Sequence, residues 1–243
     1  MCSINEPSRR DWMRFAGLTA AGVAVGSAGR WVMAAETALA DPRIGMTADD
    51  SLADLMAGNE RFLAGRPEGP RRRPEDYAPL AAGQFPHAAI IACSDSRVPP
   101  EILFDQGVGD LFVIRIAGNV IGGPGPVVKG SAEYAVAELK VPLLMVLGHS
   151  NCGAVKAAVQ HIDDHHDLPG SIDDLVNLIK PAVELVRNQP GDLLANAIRA
   201  NVELGVERLK GLEPILAGPV RAGKLKVVGA TYDLASGRVK LMV

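Results

Sequence analysis

Three short, mainly apolar runs lie in the middle of the chain, and each is bounded by turn-forming or polar residues. Runs of this length without polar alternation are typical of strands that are buried on both faces of a parallel sheet. The runs cover residues 88–92, 111–116 and 141–147. The pattern therefore predicts three buried β-strands in this region.

Between and after these runs, apolar residues recur at the spacing of about 3.6 that is typical of helices. Asp50 or Ser51 is expected to cap the first helix. Two apolar stretches near the C-terminus predict strands joined by a hairpin. The alternation predicts an α/β fold with a mainly parallel central β-sheet flanked by helices, and with an antiparallel edge. The predicted helices are residues 51–63, 127–139, 154–161, 173–186, 193–209 and a short turn at 212–216, and the predicted C-terminal strands are 225–231 and 238–243.

The first forty residues differ from the rest of the chain. Ser8, Arg9 and Arg10 precede a weakly apolar stretch rich in Ala and Gly, and Ala38 and Ala40 are the small residues of an Ala-x-Ala cleavage site. The segment resembles a twin-arginine export signal. An amphipathic helix of the folded domain and an uncleaved membrane anchor are the alternatives. We predict a signal peptide over 1–40, a folded domain over 41–243, recognition by the twin-arginine export machinery, and a periplasmic or secreted mature protein.

Composition excludes several classes of protein. Of the 243 residues 48% are hydrophobic and 22% are charged, which argues against disorder. A formal net charge of −3 and an aromatic content of 4% give no sign of a nucleic-acid partner. Three cysteines, Cys2, Cys93 and Cys152, are too few for a disulfide scaffold. Cys2 is lost with the predicted signal, so two cysteines remain.

Both remaining cysteines follow predicted strands, at the carboxyl ends where open α/β sheets bind ligands. Cys93 comes directly after the first apolar run, and His149 and Cys152 come just after the third. Two thiolates and an imidazole form a three-ligand set for zinc with a fourth position left open, as in catalytic zinc sites. Buried inert cysteines, a Cys93–Cys152 disulfide and a purely structural zinc site are the alternatives.

At these positions the sequence resembles the β-class carbonic anhydrases. The matching segments are residues 93–99 (CSDSRVP), 107–119 and 148–154 (GHSNCGA). The resemblance implies that Cys93, His149 and Cys152 hold one zinc ion per subunit, and that Asp95 and Arg97 form a catalytic dyad. In the family, Asp95 can alternatively bind zinc directly when this pair opens, which gives a closed, inactive state, and the sequence leaves both arrangements open.

The resemblance implies a substrate pocket as well. Gln84 matches a substrate-binding glutamine, and Phe112, Ala117 and Tyr134 match an apolar pocket wall. Ile116 departs from the family pattern, in which an asparagine is common at this position, and Ala117 is smaller than the usual valine. The wall is therefore less well defined by the sequence than the metal ligands are.

The implied activity is the reversible hydration of carbon dioxide to bicarbonate and a proton, by attack of zinc-bound hydroxide. An enzyme of the same fold that acts on carbon disulfide or carbonyl sulfide is one alternative. A non-catalytic zinc- or bicarbonate-binding module is another, although a binder need not keep Asp95, Arg97 and Gln84. Because the family's pocket is completed between subunits, we expect a homodimer or homotetramer in which residues 51–63 form an N-terminal helical arm that reaches across to a second subunit.

Overall fold

The structure is a computed structural model that describes residues 43–123, 125–162 and 168–242. The predicted signal peptide, and with it Cys2, Arg9 and Arg10, lies outside the described residues. Among the described helices, none combines the length and the apolar character needed to cross a membrane.

A five-stranded sheet in the order β2-β1-β3-β4-β5 forms the centre of the described chain. The first four strands in that order run parallel, and β5 pairs antiparallel with β4. This confirms the predicted mainly parallel sheet with an antiparallel edge. The strands are β1 Ala88–Ala92, β2 Leu111–Arg115, β3 Leu143–His149, β4 Lys226–Tyr232 and β5 Val239–Leu241.

Eight α-helices and two 3₁₀ turns connect and flank these strands in the described residues. The 3₁₀ turns are Pro74–Asp76 and Ala117–Asn119. The helices are α1 Ala48–Leu63, α2 Tyr77–Leu80, α3 Pro100–Leu103, α4 Val127–Ala137, α5 Gly153–Gln160, α6 Ser171–Val186, α7 Leu193–Lys210 and α8 Ala217–Arg221.

Three predicted boundaries are wrong for local reasons. Thr47, rather than Asp50 or Ser51, caps α1, because its hydroxyl accepts from the Asp50 N–H while the Asp50 carboxylate accepts from the Thr47 N–H. The third strand begins after Pro142 and extends to His149, which pairs with Tyr232. Residues 212–216 precede a helix rather than form one, since α8 begins at Ala217.

Side chains of the central strands alternate between two cores, and helices cover both faces of the sheet. On one face Ala89 and Ile91 pack with buried residues of α4 and α7, and on the other Ala88 and Ile90 pack with Leu55 of α1. Burial on both faces explains why the residues of β1 and β3 are apolar without alternation. The prediction of full burial is wrong for β2, which is an edge strand with Leu111, Phe112 and Val113 half-buried and Arg115 exposed.

A buried asparagine on helix α1 forms hydrogen bonds to distant parts of the same chain. Asn59 donates through Nδ2 to the carbonyl oxygens of Leu103 (3.0 Å) and Gly237 (3.1 Å) and accepts from the Val239 N–H (2.9 Å). The helix thus packs on its own sheet in the described chain, and its predicted contact with a second subunit stays a prediction.

Candidate metal centre

The sheet brings the three predicted zinc ligands together at its carboxyl edge. Cys93 directly follows β1, His149 is the last residue of β3, and these two strands are neighbours. Cys152 is the N-cap residue of α5, three residues beyond His149. The potential ligand atoms of the three buried side chains all lie within 4.8 Å of one another. Parallel strands end at the same edge, which is why residues far apart in sequence converge here.

The orientation of His149 fits a metal ligand. The side chain is fully buried, and Nδ1 lies 3.0 Å from the carbonyl oxygen of Ser150. A carbonyl oxygen only accepts, so Nδ1 carries the proton and Nε2 presents its lone pair. Nε2 is buried without a hydrogen-bond partner. A buried lone pair of this kind is costly unless it binds something, and a cation beside two sulfurs would satisfy it.

The two cysteines are buried and form no disulfide. Their hydrogen bond favours one thiolate and one thiol. The pKa of Cys93 is lowered to about 4, chiefly by a hydrogen bond from the Cys152 thiol and further by two backbone N–H groups, against the effect of burial. The pKa of Cys152 is raised well above its usual range, because its thiol proton is held in the hydrogen bond to Cys93, because the group is buried, and because the Cys93 thiolate disfavours a second negative charge. A divalent cation would favour both thiolates at once, since ligating thiols are deprotonated.

Asp95 borders the cluster and is held by Arg97. The guanidinium donates from Nε to Oδ1 (2.9 Å) and from Nη2 to Oδ2 (2.7 Å), and the Arg97 N–H also donates to Oδ1 (2.9 Å). Arg97 thereby holds the pKa of Asp95 well below its usual range. Oδ2 lies 4.0 Å from His149 Nε2. The carboxylate is therefore engaged by Arg97 here, and direct ligation of a metal by Asp95 would require a different arrangement from the one observed.

Arg115, the last residue of β2, supports the loop formed by residues 93–97, which carries Cys93 and Asp95. Sequence reasoning missed this role. Its Nε donates to the carbonyl oxygen of Cys93 at 3.1 Å and its Nη2 to that of Asp95 at 2.6 Å. The available signal is an arginine within the otherwise apolar run 111–116. In the structure Arg115 pairs with Ala92, which places it beside Cys93. Arg115 thus fixes the backbone that carries one potential metal ligand and the dyad carboxylate.

The predicted substrate pocket is not assembled within one chain. Gln84 is exposed and precedes β1, whereas Cys93 follows that strand, so the two are separated by the length of β1, roughly 16 Å. Phe112 lies near the start of β2, and its ring centroid is 6.0 Å from that of Tyr134. Only Ala117, at the start of the 3₁₀ turn, lies beside the cluster, because the next residue contacts Cys93.

Comparison with known proteins identifies the family of this chain. A family model described as carbonic anhydrase matches residues 88–239, which include all three cluster residues. The chain belongs to the carbonic anhydrase family. Carbonic anhydrase 2 of Mycobacterium tuberculosis is 44% identical over 187 residues, covering 77% of this chain and 89% of that protein. A carbonic anhydrase of Pseudomonas aeruginosa is 36% identical, covering 77% and 86%.

Solved structures place this carbonic anhydrase in the β class. The β-carbonic anhydrase CcaA is 28% identical, covers 78% of this chain and 94% of its own, and superimposes with a TM-score of 0.63. A tetrameric β-carbonic anhydrase of Sordaria macrospora is 26% identical, covers 76% and 93%, and has a TM-score of 0.61. Membership of this family makes the chain a lyase, and the expected fold class is confirmed.

Proposed function

We propose that this chain is a zinc-dependent carbonic anhydrase that interconverts carbon dioxide and bicarbonate, with one zinc ion per subunit. The observation that carries the proposal is the buried cluster of Cys93, His149 and Cys152 next to a carboxylate held by Arg97. Two thiolates and one imidazole suit zinc, and three protein ligands leave the fourth position that catalytic sites keep open. When bound, zinc supplies a Lewis acid that acidifies water at neutral pH.

The protein's own groups would orient the reactants around that position. The Asp95 carboxylate, ionised and fixed by Arg97, is placed to accept a hydrogen bond from a water molecule beside the cluster. Arg97 also keeps the carboxylate away from the ligands, since both of its oxygens accept from the guanidinium. Ser150 keeps the correct histidine tautomer through its carbonyl oxygen. Each of these contacts sets geometry before substrate arrives.

Zinc content and carbon dioxide hydration, measured on the same purified protein, test this proposal. We expect one zinc ion per subunit and hydration between about pH 7 and pH 9. Removing the metal with a chelator should abolish hydration, and adding zinc back should restore it. A folded, fully zinc-loaded protein with no hydration in that range would contradict the proposal. Release of sulfide from carbon disulfide by such a protein would instead assign it the alternative substrate class.

We further infer that a second copy of the chain completes the substrate pocket. Gln84 and the pair of Phe112 and Tyr134 lie away from the cluster of their own chain. Phe85, next to Gln84, is 43% exposed and Tyr134 is 49% exposed, as expected of aromatic side chains at a subunit interface. The relatives described as tetrameric support an oligomer. A homodimer would be the smallest assembly in which these residues of one chain could serve the cluster of another.

Complementation between two impaired variants tests this inference. Gln84→Ala and Cys152→Ser should each have low activity alone. If Gln84 serves the partner's metal site, a mixed dimer contains one site with both residues intact. Co-expression of the variants should then give more hydration than either variant alone. Failure to gain activity in isolated mixed dimers would mean that Gln84 acts within its own chain or not at all.

We also propose that residues 1–40 direct twin-arginine export to the periplasm or the exterior. The support is sequence alone: the Ser8, Arg9 and Arg10 motif, the weakly apolar stretch and the Ala-x-Ala site. Changing both arginines to lysine should retain the precursor in the cytoplasm, as followed by cell fractionation. Unchanged export of this double variant would contradict the route.

A further inference from the structure

The 3₁₀ turn after β2 brings a backbone amide against one of the cysteines. The Gly118 N–H donates to Cys93 Sγ at a nitrogen–sulfur distance of 3.2 Å. Gly118 has a φ of 72°, in the left-handed region, and a Cβ at this position would come within 2.7 Å of Ile179 Cδ1. A glycine is therefore required for this close approach, but glycine alone does not hold one conformation.

A buried side chain from a distant helix fixes this glycine. Asn201 on α7 is 5% exposed, and its Nδ2 donates to the carbonyl oxygen of Gly118 at 2.8 Å. The Asn119 N–H adds a bond to the carbonyl oxygen of Ile116 at 2.9 Å, which closes the turn. Both peptide groups of Gly118 are thus anchored, one by the sulfur and one by Asn201, so the glycine dihedral angles between them are restricted.

We propose that Asn201 is a positioning residue of the metal centre, which holds the Gly118 N–H on Cys93 Sγ and so limits the electron density that this sulfur donates to a bound metal ion. The proposal rests on the proposed zinc site, although it does not depend on which substrate the enzyme uses. Hydrogen bonds to ligand atoms are known to tune both the affinity and the electronic properties of metal sites. Here the donor is a main-chain amide, and its direction is set from a residue 83 positions away in the sequence.

The proposal makes a spectroscopic prediction. An N–H···S bond stabilises the sulfur lone pairs, so more energy is needed to move an electron from sulfur to metal. Loss of the bond should shift the thiolate-to-metal charge-transfer band of the cobalt(II)-substituted protein to longer wavelength. It should also weaken metal binding by about 10- to 100-fold, because losing the fixed contact that positions Cys93 outweighs the stronger donation by a sulfur without its hydrogen bond.

The test compares Asn201→Leu with Asn196→Leu in the cobalt(II)-substituted full-length protein. Asn196 is a matched control, since it lies on the same helix, is 6% exposed, and donates from Nδ2 to the carbonyl oxygen of Pro190 at 3.1 Å. Both variants lose a buried amide. Only Asn201→Leu should shift the charge-transfer band and lose metal faster to a chelator.

A second variant covers the case in which leucine does not fit. In Asn201→Ser the side chain is about one bond shorter, so it cannot reach the Gly118 oxygen and cannot overpack the site. It should produce the same shift as leucine. An unchanged band in a folded Asn201 variant, or an equal shift in Asn196→Leu, would overturn the proposal. Because the band is read without substrate, a zinc-loaded protein that fails to hydrate carbon dioxide would refute the proposed function while leaving this test intact.

Discussion

Replacing Gly118 with alanine should destabilise the protein by about 2–5 kcal/mol. The first contribution is conformational: with φ at 72°, an L-residue with a Cβ costs about 1–2 kcal/mol. The second is steric, because the new Cβ would lie 2.7 Å from Ile179 Cδ1 and 3.2 Å from Ala154 Cβ, and overpacking of this kind costs about 1–3 kcal/mol. The turn that carries the amide against Cys93 should loosen as well.

A double-mutant cycle separates the two contributions. Ile179 is fully buried, and Ile179→Val, which removes Cδ1, should cost about 0.5–1.5 kcal/mol alone. In that background Gly118→Ala should cost less, because the closest contact is gone while the backbone contribution remains. Denaturant unfolding of the four proteins with zinc removed measures these differences. A Gly118→Ala variant within about 0.5 kcal/mol of the parent protein, or the same cost in both backgrounds, would refute this reasoning.

Three further predictions follow from buried or charged groups. Cys152→Ser should remove both zinc and hydration, as measured by metal analysis and stopped flow; retained activity would show that the ligand assignment is wrong. Asp95→Asn should keep zinc but slow turnover, because the neutral amide accepts a proton poorly, and an unchanged rate would exclude the proposed role. Burial lowers the pKa of His87, so the folded state binds a proton less readily than the unfolded state. The neutral form of His87 therefore costs no stability above about pH 6.5, and the free energy of unfolding decreases as the pH falls below that value. His87→Gln should therefore lose less stability than the parent between about pH 7 and pH 5, and equal losses in denaturant unfolding would contradict the assignment.

The sequence predicts the cluster of Cys93, His149 and Cys152 because its geometry follows from strand ends. Cys93 and His149 each occur where an apolar run stops, and in a parallel sheet such positions meet at one edge. The third strand was still misplaced by two residues. Pro142 looked like part of the apolar run, whereas the ladder starts after it and continues through Gly148 to His149.

Other features could not be predicted from local patterns. Nothing in the sequence around Asn201 indicates that its amide reaches Gly118, since the contact depends on how α7 packs across the sheet. Resemblance alone assigns Gln84 to the pocket, and within a single chain it precedes β1 whereas Cys93 follows that strand. That assignment depends on a second copy of the chain, which neither propensity nor periodicity describes.

The loop between Cys93 and Arg97 is held by contacts from several directions. Arg115 holds its carbonyl oxygens, and the Gly118 N–H holds the cysteine sulfur. Arg97 fixes the Asp95 carboxylate from within the loop. Since the partners outside the loop belong to β2 and the turn that follows it, the edge of the sheet next to β1 sets the geometry of this half of the site. The other half, His149 and Cys152, comes from β3 on the opposite side of β1. A metal ion bound by Cys93, His149 and Cys152 would therefore link two halves that come from opposite sides of β1.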